Sequence, residues 1–208
     1  DHNFEITYKN FIKKILILRR SNRYLAKNNN LISRIEELEK LFVNPKIIVI
    51  YRDPIKTVES LTKVNQKIYE SNDKKKIFKY LKYIGHNEFG LYKNFQNPNK
   101  NNVYIENARL LWNNNKYYDA YMLEWIQISE YILNNLINNK NIFILNYDDL
   151  INNFKNKFVD ILNFTEVNHE KNDLYLLEKN VKSKNTDKIY NSFNYEYKIY
   201  SKLNDIKN

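Results

Sequence analysis

Cysteine is absent from this chain of 208 residues, and glycine occurs only twice, at Gly85 and Gly90. The absence of cysteine excludes disulfide bonds, thiolate catalysis and zinc sites with cysteine ligands. Neither glycine has the sequence neighbours of a phosphate-binding loop, whose backbone N–H groups approach the phosphate closely. No segment has the length and hydropathy of a membrane span or of a signal peptide, and we expect a cytoplasmic protein.

Aromatic and basic residues, in contrast, are abundant. Aromatic side chains make up 15% of the chain, with 18 Tyr and 11 Phe, which argues for a folded core despite a mean hydropathy of −0.70. The length predicts a single domain over residues 1–208. The net charge of +10 favours anionic partners such as nucleic acid, anionic glycans, membrane surfaces or a polyanionic nucleotide. Because the charge is spread along the chain, it selects none of these.

The most informative stretch is residues 46–60. The β-branched run from Ile47 to Ile50 is typical of a strand buried on both faces, and it ends at Arg52-Asp53-Pro54. Aspartate is a favoured helix N-cap and proline suits the first helical position. The stretch therefore predicts a strand, a tight turn and a helix. The turn places Arg52 at the carboxyl end of the strand, where open α/β sheets bind their ligands.

Two further polar residues follow Arg52 at helical spacing. Lys56 and Ser60 come four and eight residues later, so we expect them on one face of the helix. A guanidinium fork and a hydroxyl beside a helix start are typical of a phosphate site. The alternative is an ordinary surface turn, with Arg52 paired to Asp53 or solvated.

Periodicity predicts an α/β protein with a parallel sheet flanked by helices. The remaining predicted elements are helices over residues 4–20, 31–42, 74–84, 117–138 and 170–179, strands over 23–27 and 141–145, and a further helix after residue 150. Residues 85–107 predict a long irregular loop or lid, for which substrate contact and disorder are both open. Residues 181–208 form a basic tail without clear periodicity.

Three of the predicted strands are followed by, or end in, polar residues. Lys27 ends the first, Arg52 follows the second, and Tyr147 follows the third. Strands of one parallel sheet share an end, so these three side chains are expected on one rim. Two cations and an aromatic hydroxyl fit a phosphate or sulfonate group together with a nucleotide base.

From about residue 21 to residue 164, the chain resembles the sulfotransferases that use 3′-phosphoadenosine 5′-phosphosulfate (PAPS). Those enzymes have a strand ending in Lys, a helix, and a strand leading into Arg-Asp-Pro with a Ser eight residues after the Arg. Lys27, Arg52 and Ser60 match this pattern, and the family's later Tyr-Glu-Asp-Leu segment reads Asn-Tyr-Asp-Asp-Leu at residues 146–150. The resemblance implies a fold of the P-loop nucleoside-triphosphate-hydrolase type and no metal cofactor.

The resemblance also implies roles for individual residues. Arg52 and Ser60 would bind the 3′-phosphate of PAPS, and Tyr147 would lie near the adenine. Lys27 would be the catalytic residue that approaches the transferred sulfonate and stabilises charge on the leaving phosphate. A basic C-terminal segment often completes the family's 3′-phosphate site, and Lys182, Lys184 and Lys188 are candidates here.

Two parts of the family's pattern have no counterpart in the sequence. The glycine-containing loop that binds the 5′-phosphosulfate, roughly Pro-Lys/Arg-Ser-Gly-Thr-Thr, would lie upstream of Asp1, has been lost, or is supplied otherwise. In some branches a His two residues after the Lys is the general base, and Asn29 stands at that position. The base is therefore not identified, although His86 is a further candidate.

Three functional hypotheses follow. The first is a PAPS-dependent sulfotransferase that transfers a sulfonate to a hydroxyl or amine of a glycan, a protein tyrosine or a small molecule. The second is a catalytically inactive scaffold with the same fold. The third is a basic nucleic-acid-binding module, which is disfavoured because the chain has no recognisable nucleic-acid-binding motif and its basic residues are diffuse. We expect no nucleic-acid partner. Neither the acceptor substrate nor the oligomeric state follows from the sequence.

Overall fold

The computed structural model describes residues 2–168 and 195–206, which divide into two compact units, Asp1–Pro45 and Lys46–Asn208. The described residues are mostly helical and contain a two-stranded parallel sheet. This confirms the predicted α/β class at its coarse level. No described helix combines the length and the apolar character that crossing a membrane requires.

The first unit contains helices and an irregular connection. Helix α1 (His2–Arg19) is followed by a 3₁₀ turn (Leu31–Arg34) and helix α2 (Ile35–Leu41). Ile12 and Ile35 are its buried residues, and the ring of Tyr8 packs edge-on against that of Phe42 at 6.0 Å. Two of the predicted helices, over residues 4–20 and 31–42, are thereby confirmed, the second with a 3₁₀ first turn.

The strand predicted over residues 23–27 is wrong. This segment has no regular secondary structure, and all five side chains are exposed. A strand is stable only when it pairs with a neighbour and packs one face, and here neither face is packed. Lys27 consequently does not end a strand. The prediction that it shares a sheet edge with Arg52 and Tyr147 rested on that strand and is therefore unsupported.

The second unit contains a two-stranded sheet and a set of helices. Its strands are β1 (Ile47–Tyr51) and β2 (Ile142–Asn146). Its helices are α3 (Pro54–Glu70), α4 (Lys74–Tyr83), α5 (Asn102–Asn113), α6 (Tyr117–Tyr131), α7 (Tyr147–Asn152), α8 (Phe154–Phe164) and α9 (Tyr195–Asn204). Helix α6 continues into a π-helical turn, Ile132–Leu136.

The two strands pair in parallel with Ile47 opposite Ile142 and Tyr51 opposite Asn146. Both predicted strands are therefore confirmed to within one residue. Because their carboxyl ends are level, the residues that follow them, Arg52 and Tyr147, leave the sheet side by side. This register positions the candidate site.

Helix α6 forms the centre of the second unit and packs against α3 and α5. Tyr121 and Trp125 of α6 are buried, as are Ile132 and Leu136 of the π-helical turn that follows it. Polar residues of the same helix are buried as well, including Glu124 and Gln127. A helix buried on most of its sides needs partners for these polar groups, and residues 85–101 supply several of them.

Residues 85–101 form hydrogen bonds and an ion pair with side chains of the neighbouring helices. The Tyr121 hydroxyl donates to the Glu88 carbonyl at 2.9 Å, and the Gly90 N–H donates to the Asn65 side chain at 2.9 Å. The Glu124 carboxylate accepts from Lys93 at 2.6 Å and from the Gln96 N–H at 2.7 Å. The disordered alternative is therefore wrong for these residues, and their ties to buried side chains give them a structural role.

Two helices were missed by the sequence prediction. Helix α5 begins inside the stretch predicted to be irregular, because the Asn-rich run before it hides its start. Helix α9 lies in the tail, where Ile199 and Leu203 are buried four residues apart. The helix predicted over 170–179 and the candidates Lys182, Lys184 and Lys188 lie outside the described residues.

Several helices end at a residue in the left-handed region, and at most of these positions the residue is not the usual glycine. Arg20, Asn115 and Glu166 have φ values of 49°, 60° and 56°, and Gly85 has 73°. In each case the N–H of the next residue bonds back to a carbonyl five residues earlier, as in Ser21 N to Leu16 O at 3.0 Å. This is the Schellman termination, which a side chain makes less favourable.

Candidate functional site

The Arg52-Asp53-Pro54 turn has the geometry that the sequence predicts. The Asp53 carboxylate accepts from the Lys56 N–H at 2.8 Å and so caps α3, and Pro54 occupies the first helical position. The Thr57 hydroxyl donates to the Asp53 carbonyl at 2.8 Å. From the core side, the indole N–H of Trp125 donates to the Arg52 carbonyl at 3.2 Å. The backbone at Arg52 is thus held from the helix and from the core.

The side chain of Arg52 lies against the start of α7. Its guanidinium carbon is 4.8 Å from the centre of the Tyr147 ring, which is cation–π distance. Its Nε is 3.7 Å from a carboxylate oxygen of Asp148, and this Nε is buried without a hydrogen-bond partner among the described residues. The side chain as a whole is 34% exposed, so part of it is accessible to a ligand.

Lys56 shares the carboxylate of Asp148. Its Nζ lies 3.4 Å from the second carboxylate oxygen, so one acidic group faces two cations. The Asp53 carboxylate that caps α3 lies at the same turn, so two carboxylates accompany the two cations. The N-terminus of α3 adds the partial positive charge of its helix dipole to the same place. An arginine, a lysine and a helix start can together bind a phosphate or sulfate group.

The back of the site is formed by α9. Asn146 caps α7 by accepting from the N–H groups of Asp148 and Asp149, while its amide donates to Asn204 at 2.7 Å and to Tyr200 at 3.1 Å. The Tyr51 hydroxyl lies 3.0 Å from the Leu203 carbonyl and 2.9 Å from the Asn204 side chain. Burial raises the pKa of Tyr51 to about 12, so this hydroxyl stays a neutral donor.

The structure brings together some of the predicted site residues. Arg52 and Tyr147 are in contact, as their positions after neighbouring strands predict. Ser60 is exposed on α3, one helical turn beyond Lys56. Lys27 belongs to the first unit and is exposed in its irregular connection. Its assignment as a catalytic residue therefore depends on the resemblance alone.

Other residues of the site were not assigned by sequence reasoning. Asp148 directly follows Tyr147, and its position in the first turn of a helix gave the only signal. Trp125 looked like a core residue, and no local pattern shows that its N–H reaches a turn 73 residues away. The α9 residues were hidden because the tail has weak periodicity.

His86 does not join this group. Its ring lies 3.1 Å from the Glu88 carboxylate in residues 85–101, and half of its side chain is exposed. Across the described ranges, His, Asp and Glu side chains form no cluster of three or more that could hold a metal ion. The candidate site therefore consists of Arg52, Lys56 and Tyr147, with Asp148 in contact with both cations.

Neither the family models nor the curated proteins nor the solved structures that were compared with this chain give a match.

Proposed function

We propose that the chain is a PAPS-dependent sulfotransferase, which transfers the sulfonate group of PAPS to a hydroxyl or amine of an acceptor. The observation that carries the proposal is the contact between Arg52 and Tyr147 at the level carboxyl ends of β1 and β2. It gives a cation beside a helix start and an aromatic ring beside the cation. These are the contacts that a nucleotide phosphate and its base require.

In this proposal, Arg52 and Lys56 bind the 3′-phosphate and Ser60 donates a hydrogen bond to it. A phosphate carries more charge than a carboxylate, so it competes effectively with Asp148 for the two cations. The Tyr147 ring is partly exposed, which leaves ring surface for the adenine. The resemblance assigns Lys27 to the transferred sulfonate, where a positive charge would stabilise the leaving phosphate.

The test is a calorimetric titration with 3′-phosphoadenosine 5′-phosphate, the product nucleotide, against adenosine 5′-phosphate. We expect binding that requires the 3′-phosphate. Arg52→Ala should abolish it, whereas Arg109→Ala, which removes an exposed arginine of α5, should not change it. Equal affinity for the two nucleotides, or unchanged affinity in Arg52→Ala, would contradict the proposal.

Turnover distinguishes the enzyme from the inactive scaffold. Incubation with PAPS and mixed acceptors should release 3′-phosphoadenosine 5′-phosphate, and Lys27→Ala should slow this release without weakening nucleotide binding. Nucleotide binding without any release would favour the scaffold. If the chain does not bind the nucleotide but binds oligonucleotides with an affinity that falls steeply with salt, the nucleic-acid-binding module is favoured instead.

A further inference from the structure

Helix α1 exposes several large apolar side chains, which the helices of folded proteins usually bury against a neighbouring element. Phe4, Phe11 and Leu18 are 62%, 53% and 81% exposed. They are seven residues apart, so at 100° per residue they lie within a 40° arc of the helix surface. We call these three residues the apolar stripe of α1. Ile12, the buried residue of this helix, lies on a different face.

The apolar exposure continues beyond the helix. Leu25, in the irregular connection, is 92% exposed, and Tyr24 beside it is 38% exposed. Single exposed apolar residues are ordinary on protein surfaces, but several large ones within one short segment are typical of an interaction surface.

The same segment has a one-sided charge. Residues 6–34, which we call the basic segment, contain no Asp or Glu. Their cations are Lys9, Lys13, Lys14, Arg19, Arg20, Arg23, Lys27 and Arg34. Lys9 pairs with Glu5 at 2.7 Å, one turn before it. The side chains of Lys14 and Arg19 are exposed on either side of the apolar stripe, and Lys13 and Arg20 are exposed as well.

We infer that α1 and the basic segment bind the surface of an anionic lipid bilayer. Exposed phenylalanine and leucine enter the boundary between headgroups and acyl chains, while lysine and arginine contact the anionic headgroups. Long basic side chains beside the stripe keep their charges at headgroup level while their methylenes lie along the apolar region. The helix lies in the plane of the interface.

The apolar stripe favours a bilayer over a nucleic acid. A nucleic acid would be held by the cations through its phosphates and would gain little from exposed leucine side chains such as Leu18 and Leu25. A bilayer uses both features at once. The inference concerns the first unit only and is independent of the anion site at Arg52, which lies in the second.

The test is flotation of the full chain with vesicles of phosphatidylcholine alone and with vesicles that also contain phosphatidylserine. We expect binding to the anionic vesicles, weakened by added salt. The double variant Phe11→Ser/Leu18→Ser should lower this binding at least tenfold. The matched control, Leu91→Ser/Leu110→Ser, removes two comparably exposed apolar residues of the second unit and should bind as the unmodified chain does.

Circular dichroism should show that both double variants fold, since all four substituted side chains are exposed. A second variant, Lys14→Gln/Arg19→Gln, should weaken binding to the anionic vesicles and reduce its salt dependence. The inference is overturned if the full chain does not float with anionic vesicles, if it binds neutral vesicles equally well, or if Phe11→Ser/Leu18→Ser binds like its control. If the full chain binds oligonucleotides but not vesicles, and Phe11→Ser/Leu18→Ser keeps the oligonucleotide binding, the partner of this segment is a nucleic acid instead.

Discussion

The carboxylate of Asp148 lies 3.7 Å from Nε of Arg52, on the guanidinium that also faces the Tyr147 ring. The second oxygen of the same carboxylate lies 3.4 Å from Lys56. An anion that binds these two cations must therefore compete with Asp148. Removal of this carboxylate charge should strengthen anion binding rather than weaken it.

Asp148→Asn should bind 3′-phosphoadenosine 5′-phosphate about fivefold more tightly, since a partly exposed ion pair contributes roughly 1 kcal/mol. The control is Asp149→Asn, because Asp149 lies in the same first turn of α7 but pairs with Lys157 at 3.1 Å. Both variants lose one carboxylate charge near the helix start, but only Asp148→Asn removes the contact with Arg52 and Lys56. Titration calorimetry measures the affinity, and equal affinities in the two variants would show that Asp148 does not compete.

Trp125→Phe should weaken binding of the same nucleotide because it removes the N–H that donates to the Arg52 carbonyl. It should also lower the free energy of unfolding by about 1–2 kcal/mol, since a buried carbonyl loses its partner. Trp112→Phe is the control, as Trp112 is equally buried and packs edge-on against aromatic rings. Urea unfolding and calorimetry separate the two effects. A loss of affinity in both variants would mean that binding follows stability and not the turn.

Glu124→Gln should destabilise the second unit strongly. Lys93 and Glu124 form an ion pair at 2.6 Å with only 3% and 10% of their side chains exposed. Loss of one partner leaves a buried charge, which costs about 3–5 kcal/mol.

The control for this change is Glu130→Gln on the same helix, whose partner Tyr195 is exposed, and its effect should stay within about 0.5 kcal/mol. Denaturant unfolding measures both. The double variant Lys93→Met/Glu124→Gln should be less destabilised than the sum of its single changes, because it no longer buries an unpaired charge. Strict additivity would argue against coupling across the pair.

The free energy of unfolding should decline at alkaline pH. Burial raises the pKa of Tyr51 and of Tyr69 to about 12, and it raises the pKa of Tyr121 as well. In the unfolded chain these hydroxyls ionise near pH 10, so the unfolded state then holds fewer protons than the native state. The stabilisation is complete below about pH 10 and is lost as the pH rises through about 12.

Tyr51→Phe should show a shallower decline above about pH 10, because one of the contributing groups is gone. Its free energy of unfolding at neutral pH should be lower by roughly 1 kcal/mol, since the hydrogen bonds to α9 are lost. Tyr83→Phe should keep the original pH dependence, as Tyr83 is almost fully exposed. Urea unfolding across this pH range decides the point, and an unchanged slope in Tyr51→Phe would contradict it.

The sequence predicts the parts of the site that local rules govern. The β-branched run before Arg52 gives the strand, and Asp53 and Pro54 give the turn and the start of α3, all of which the structure confirms. The contact of Arg52 with Tyr147 follows from parallel pairing. The carboxyl ends of β1 and β2 are level, as that prediction requires.

Long-range contacts explain what the sequence does not predict. Arg23 to Lys27 has strand-like residues, but strand formation depends on a partner that the local sequence does not reveal. The tie between Trp125 and Arg52, and the ties of Asn204 to Tyr51 and Asn146, join residues far apart in the chain. Such pairs show no periodicity, so the pattern of the local sequence has no way to indicate them.

The contribution of α9 has a consequence for the order in which the molecule is made. Tyr51 and Asn146 find partners at Leu203, Asn204 and Tyr200, which are among the last described residues to be synthesised. On the ribosome, β1, β2 and the Arg52 turn emerge before α9. Until α9 follows, the Tyr51 hydroxyl and the Asn146 amide are solvated. The rim of the sheet is therefore completed only after α9 has left the exit tunnel, and a nascent chain that stops before residue 195 carries the motif without its finished support.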